Sequence, residues 1–281
     1  PDSVATTWSV SIQKVKQANP AAVELLQVCA FLAPDHIPEE LLRKGAMYWS
    51  PLLQQAVIDP FAFNQLLEAL LCFSLIKRLA EDHLLSIHRL VQVVQVEILG
   101  SEEQCSLAER VVRAVNHLFP LQPREDVSTW SQCQRYLEQV QACQTLIQQH
   151  MQQTSEAGDL LERAGTYLLH IRASYIQAEM LYQQALSIRE KQVGTHHPET
   201  ASILHNLGFL YCQQGKYKQA ESYSQQALAI RQEQLGDQHP ETAKTLNNLG
   251  ILSYQQGKYE QAESYFQQAL AIKQKQLGDQ H

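Results

Sequence analysis

The sequence predicts a mainly α chain: a front region of helices with a small β-hairpin, followed by an α-solenoid of stacked helix pairs. Three observations lead there. Residues 197–236 and 239–278 are near copies set 42 positions apart, agreeing at 30 of 40 positions. A period of that size marks one supersecondary unit copied and stacked, because a single copy cannot bury its own apolar side. Within each copy, apolar residues keep helical spacing on both sides of a glycine. Between residues 74 and 88 the spacing shortens to that of strands.

Each copy reads as two helices. In the first, Leu204, Leu207, Gly208 and Tyr211 fall at i, i+3, i+4 and i+7, on one helical face. Gly208 has no side chain to hold a neighbouring helix away. Gly215 breaks the run and supplies the positive φ of a tight helix-to-helix turn, after which Tyr217, Ala220, Ser224 and Ala227 begin a second stripe. Gly236 caps that helix, and Pro240 opens the next in a first-turn position where its missing N–H costs little.

Leu204, Leu207, Gly208, Tyr211, Gly215, Tyr217, Ala220, Ser224 and Ala227 resemble, in type and order, the tetratricopeptide repeat. So do Leu246, Leu249, Gly250, Ser253, Gly257, Tyr259, Ala262, Phe266 and Ala269. Ser224 and Ser253 stand where the family has aromatic residues. The 42-residue length and the HPET and QQGKY phrases are most similar to the longer repeats of kinesin light chain and its bacterial relatives. A weaker copy over residues 160–194 keeps Gly165, Tyr175, Ala178, Ala185 and Leu186. It carries one extra residue and has Ala173-Ser174 in place of the turn glycine. About three repeats are therefore expected.

The front region begins with a helix over residues 6–18, with Trp8, Ile12 and Val15 on one side and Asn19-Pro20 as its stop. A nearly all-apolar helix over 21–32 follows. Pro34-Asp35-His36 turns the chain, and Ile37-Pro38-Glu39-Glu40-Leu41-Leu42 reads as a helix start with acids near the positive end of the dipole. Residues 61–73 form a further apolar helix. Residues 74–79 and 84–88 are β-competent around the polar residues 80–83, which predicts a hairpin. Helices before a hairpin is the order of a winged helix. Residues 89–99 return to helix, and Ser101 is the expected N-cap of the next.

The phrases AVELLQVCAFLAPDHIPEELL, LLEALLCFSLIKR and LLSIHRLVQ resemble the winged-helix part of NB-ARC type STAND ATPases, a family of signal-transduction switches. The resemblance covers roughly residues 1–98. In that family a Met-His-Asp signature stands where this chain has Ile87-His88-Arg89. The resemblance implies that His88 reaches the β-phosphate of ADP on a neighbouring nucleotide-binding domain and holds the switch closed. Arg89 departs from the family's aspartate. Read alone, His88 is a hairpin-end histidine with an ordinary hydrogen bond.

The expected organisation is a winged-helix-like domain over 1–98, connecting helices over 99–157 and the repeat solenoid over 158–281. Two helices, 101–119 and 130–149, make up the connection and are expected to cap the apolar end of the solenoid. The Gln-rich piece from Gln148 to Gly158 is the expected linker. The chain lacks an initiator methionine, and LGDQH stops where another HPET phrase is due, so a longer parent protein is expected.

Composition narrows the function. With 44% hydrophobic residues the chain has enough apolar material for two cores, and its net charge of −7 argues against nucleic-acid or anionic-membrane surfaces. Its six cysteines form no CxxC pair and read as reduced residues of a cytoplasmic protein. No GxxxxGK[ST] loop, nucleophile elbow or HExxH is present. An ATPase site, with its ADP or ATP, therefore belongs upstream, and no cofactor, metal or catalytic residue is assigned to this chain. His196, His197 and His239 invite a metal reading, but no carboxylate or thiol completes a tetrahedron. Polar helix-entry residues is the alternative.

The working surface is expected on the concave side of the solenoid, where first helices present polar side chains at constant pitch to an extended peptide. In the kinesin light chain relatives, asparagines of the LNNL phrase contact bound peptide. The resemblance carries that role to Asn206 and Asn248, and tying adjacent repeats together is the other reading. The whole reads as the sensor part of a STAND-type switch, its repeats binding a protein or peptide inducer and its winged helix controlling an upstream nucleotide-binding domain in cis. A plain repeat scaffold is one alternative. A winged-helix transcription regulator is another, disfavoured because residues 61–73 hold no Lys or Arg.

Overall fold

The computed structural model describes residues 2–150 and 154–278, and the chain divides into two units, 1–152 and 153–281. In the first unit, α1 (Asp2–Ala18) and α2 (Pro20–Ala30) are followed by β1 (Ile37–Pro38), α3 (Glu39–Lys44) and a 3-10 turn (Ala46–Tyr48). Next come α4 (Pro51–Ile58), α5 (Pro60–Leu71), β2 (Ile76–Leu79), β3 (Leu84–Ile87) and α6 (Arg89–Ile98). Then α7 (Ser101–Leu118), a second 3-10 turn (Val127–Thr129) and α8 (Trp130–Gln149) complete it. Proline opens α2, α4 and α5 at the first helical positions, where no N–H is missed. Ser50 Oγ caps α4 by accepting from Leu53 N at 3.1 Å, and Asp59 Oδ1 caps α5 by accepting from Phe61 N at 2.8 Å.

The core of this unit forms around α2, whose Ala22, Leu25, Leu26 and Cys29 are fully buried against α1, α4, α5 and α6. The expected hairpin is present with one strand more. The antiparallel sheet has the order β1-β3-β2, with Ile37 opposite Leu85 and Ile76 opposite Ile87. Residues 37–38 thus pair as a strand, and the helix read from them starts at Glu39. Pro38 is tolerated because β1 is an edge strand and its missing donor faces no ladder. Beside it, Glu39 takes a bidentate pair from Arg78, Nε to Oε1 at 2.6 Å and Nη2 to Oε2 at 2.9 Å.

One further difference concerns the connecting region. Gly100, not Ser101, occupies the N-cap of α7, its N–H donating to Glu103 Oε2 at 3.0 Å. Helices α7 and α8 belong to the first unit: α7 touches α3 and the 3-10 turn at Ala46–Tyr48, and α8 touches β1. The buried Gln139 of α8 explains the anchoring. Its Oε1 accepts from Ala33 N at 2.9 Å, and its Nε2 donates to the carbonyls of Asp35 and His36 at 3.4 Å, holding the 33–36 turn. Of the expected Gln-rich linker, 148–149 close α8, 155–158 open the next helix, and 151–153 lie outside the described residues. Residues 279–281 of the terminal LGDQH phrase lie outside them as well.

The second unit is three helix pairs: α9 (Ser155–His170) with α10 (Tyr175–Val193), α11 (Pro198–Gln213) with α12 (Tyr217–Leu235), and α13 (Pro240–Gln255) with α14 (Tyr259–Gly278). Gly215 and Gly257 turn the second and third pairs at φ of 72° and 75°. Ala173 does the same in the first at φ of 50°. Each pair closes on a small residue facing a variable one. A Cβ on Gly208 would stand 2.3 Å from Ser224 Oγ, one on Gly250 2.6 Å from the Phe266 ring, and one on Gly165 2.9 Å from the Tyr182 ring. Stacking between pairs follows a rule as well. Leu186 packs into the cluster of Ala201, Leu204, Ala227 and Ile230, and Leu228 into that of Ala243, Leu246, Ala269 and Ile272. The equivalent Leu270 is 54% exposed.

Candidate functional site

The candidate site lies along α9, α11 and α13, the first helices of the three pairs. Successive first helices touch, whereas second helices are spaced more widely, so the first helices form the inner side of the stack. Their buried stripes, such as Ala201, Leu204, Leu207 and Gly208 on α11, turn toward the paired helix and leave a polar row half-buried on the inner face.

That row is a ladder. Asn206 Nδ2 donates to Glu162 Oε1 at 3.4 Å, joining α11 to α9. One repeat on, Asn248 Nδ2 faces the His205 ring, 3.2 Å from Nε2, joining α13 to α11. Positions 162, 205 and 247 are equivalent, as are 163, 206 and 248. Both sequence-predicted asparagines therefore sit in one register and each reaches back one repeat. Neither Oδ1 accepts a hydrogen bond among the described residues. Beyond them, Phe209 stacks on His170 with ring centroids 5.1 Å apart, and Cys212 Sγ donates to Gln255 Oε1 at 3.1 Å.

Burial raises the Glu162 carboxyl to about 7, with Asp159 and Glu199 adding to the rise and Arg189 and Arg231 opposing it. Those arginines were not singled out by sequence reading. Arg189, 3% exposed, leaves α10 to bond Asp159 and Ser155 of its own pair and Glu199 of the next, the last at 3.1 Å. Arg231, 2% exposed, repeats this from α12, reaching Ser202 at 3.3 Å, Thr245 Oγ1 at 2.7 Å and Glu241 Oε2 at 3.0 Å. Each planar guanidinium thus rivets three helices. The signal available in the sequence was the recurrence of an Ile-Arg or Ile-Lys pair at residues 188–189, 230–231 and 272–273.

The histidines divide by position. His197 and His239 cap α11 and α13, each Nδ1 accepting from the N–H two residues on at 3.2 Å. His196 Nδ1 lies 3.3 Å from Glu233 Oε2. Among the described residues no group of three or more His, Cys, Asp and Glu gathers as a metal site, and none of the six cysteines forms a disulfide. Among the described residues no helix is long and apolar enough to cross a membrane. In the first unit His88 is exposed where β3 passes into α6 and caps that helix, Nδ1 accepting from Leu90 N at 3.2 Å, with its ring centroid 5.7 Å from that of Trp8. With Nδ1 an acceptor, the neutral ring carries its proton on Nε2.

Residues 156–232 and 199–275 match the tetratricopeptide repeat family, and residues 13–104 match a domain of unknown function (DUF7779). A nucleotide-binding leucine-rich repeat (NLR)-like protein of Hyaloscypha variabilis (strain UAMH 11265 / GT02V1 / F) is 28% identical over 198 residues, 70% of this chain. The chain spans 18% of that protein's length. Among solved structures, a putative kinesin light chain of Podosopora anserina with nearly identical TPR-like repeats aligns over 85% of this chain and 94% of its own, at 16% identity and a TM-score of 0.47. BtubC (BKLC) from P. vanneervenii aligns over 85% and 90%, at 18% identity and a TM-score of 0.44. The second unit thus matches the tetratricopeptide repeat family over most of its length.

Proposed function

We propose that this chain is the sensor part of a STAND-type signal-transduction protein. Its repeats bind a protein or peptide on the inner face, and its first unit acts as a winged helix that controls a nucleotide-binding domain of the full-length protein. The observation that carries the binding half is the inner-face ladder. Asn206 and Asn248 spend only Nδ2 on the neighbouring helix, and each keeps an Oδ1 for a peptide N–H, at the regular spacing an extended backbone offers. The two readings of these residues therefore combine: they join repeats and present acceptors. An exchange of Asn206→Ala and Asn248→Ala, assayed with a peptide selected by display on the intact chain, should weaken binding tenfold or more while the melting temperature stays within a few degrees. Undiminished binding, or unfolding of the double variant, would remove the ligand role.

For the switch half, the supporting features are the helix-strand-helix-helix-helix-strand-strand order around the β1-β3-β2 sheet and the NLR-like relative. The residues present fit an ADP phosphate at one point. His88 is exposed and its Nε2 is the free donor of the neutral ring, suited to a phosphate oxygen. Bound ADP would supply the anion that such a donor holds, with the nucleotide gripped chiefly by the other domain. In the full-length protein, His88→Ala should lower retention of ADP through purification; unchanged retention favours a repeat scaffold without a nucleotide switch.

A further inference from the structure

Glu162 is an inner-face group that the fold leaves poorly satisfied. Its carboxylate accepts one long hydrogen bond, from Asn206 at 3.4 Å, and makes no ion pair among the described residues. The charged groups that bear on it are Asp159 on its own helix, Arg189 from α10, Glu199 from α11 and Arg231 from α12. Both arginines are engaged elsewhere, Arg189 with Asp159 and Glu199, Arg231 with Glu241 and Thr245. A half-buried carboxylate with so little compensation is costly to keep in a fold. The equivalent positions of the other pairs are His205 and Asn247, so the repeat architecture does not require an acid there.

We infer that Glu162 is a cation subsite of the inner face, receiving the ammonium or guanidinium of a Lys or Arg side chain carried by the bound peptide. This rests on the reading that the inner face binds an extended peptide. Charge complementarity favours that occupant over an acidic one: Asp159, Glu162 and Glu199 set three carboxylates against the guanidiniums of Arg189 and Arg231, and Arg231 is already paired with Glu241. Phe209, one turn beyond Asn206 on α11 and stacked on His170, offers an apolar surface for the stem of a long basic side chain. The incoming cation would supply the partner that the fold withholds, and the ion pair would form in a partly desolvated place where charge-assisted bonds are strong. Because the carboxyl titrates at about 7, the attraction is present above neutrality and fades as the pH falls and Glu162 takes up a proton.

The test is selection of random dodecapeptides by display on the intact chain at pH 8, in parallel with Glu162→Gln, an isosteric exchange that keeps the Asn206 contact. The expected result is enrichment by the parent chain of peptides with Lys or Arg at one aligned position, a preference lost by the variant. A selected peptide should bind the parent about tenfold more weakly at pH 5.5 than at pH 8, with no such change for the variant. Enriched peptides without a basic position, or equal affinity for both chains, would overturn the subsite while leaving the inner face as a peptide site. Failure of either chain to enrich any peptide sensitive to Asn206→Ala and Asn248→Ala would overturn both.

Discussion

The first helix pair and the second share a backbone plan but reach it with different residues. In the second, Gly215 makes the turn, Ser224 faces Gly208, Ser202 meets the riveting arginine and His205 stands on the inner face. In the first those places belong to Ala173, Tyr182, Asp159 and Glu162. Tyr182 is fully buried against Gly165, its hydroxyl 3.1 Å from Thr166 Oγ1, so a large side chain fills the space that the second pair leaves to Ser224. The difference teaches which positions the stack demands and which are open to use. Arginine at 189 and 231 and glycine at 165, 208 and 250 are kept, while the inner-face position changes its chemistry from copy to copy.

The largest break in this comparison should come from the rivets. Arg231→Ala removes a buried cation from contacts with α11 and α13 and leaves Glu241 without its guanidinium. A loss of about 3 kcal/mol is expected, since stripping one partner from a buried pair typically costs that much. Urea unfolding of the intact chain measures it. Arg189→Ala should cost a similar amount, because its geometry matches. If either exchange costs less than about 1 kcal/mol, a value usual for exposed pairs, the three-helix linkage contributes little.

Glu162→Gln tests the chemical difference between the pairs through stability. The Glu162 carboxyl is raised by burial from its ordinary 4.5 to about 7, so the folded state takes up its proton more readily than the unfolded state. Its contribution is therefore full below pH 4.5, declines as the pH rises toward 7, and stays at its lower level above. The glutamine variant, with no proton to lose, should unfold about 1 to 2 kcal/mol harder at pH 8 and show a flatter profile between pH 5 and 8. Chemical denaturation at several pH values checks it; parallel profiles would mean the carboxyl is better solvated than its surroundings indicate.

The same contrast explains what the sequence made legible. Helix pairs two and three were readable because their stripes, turn glycines and proline openings recur, and the recurrence separates signal from accident. The close approach at Gly208 followed from its place on the stripe, whereas Gly165 and Gly250 entered by resemblance to the repeat pattern. Residues 37–38 were misread because Pro38 before two acids imitates a helix start, and only the long-range pairing of Ile37 with Leu85 makes it a strand. Helix α4 went unread although Ser50-Pro51 announces it, since eight residues give too short a stripe to recognise. The asparagines were found by resemblance and a tie between repeats was one of their two readings, but the partners of that tie were not legible, because Glu162 and His205 share no residue type. Arg189 and Arg231 were missed for a related reason: a charged residue on a Gln-rich helix looks solvated until three helices close over it.

The smallest expected effect sharpens the comparison at the turn. Ala173 holds φ of 50° where the next two pairs hold glycines at 72° and 75°. A left-handed conformation costs a residue with a Cβ roughly 1 to 2 kcal/mol. Glycine would remove that strain but adds roughly 0.5 to 1 kcal/mol of backbone entropy to the unfolded chain. Ala173→Gly should thus stabilise by only about 0.5 kcal/mol, whereas Gly215→Ala should destabilise by a similar net amount at the equivalent position. Thermal melting of the two variants side by side reads the opposite signs. Stabilisation by both would mean that unfolded-state entropy, and not the turn, governs these positions, and destabilisation by both would mean that the extra residue in the first turn has already relieved Ala173.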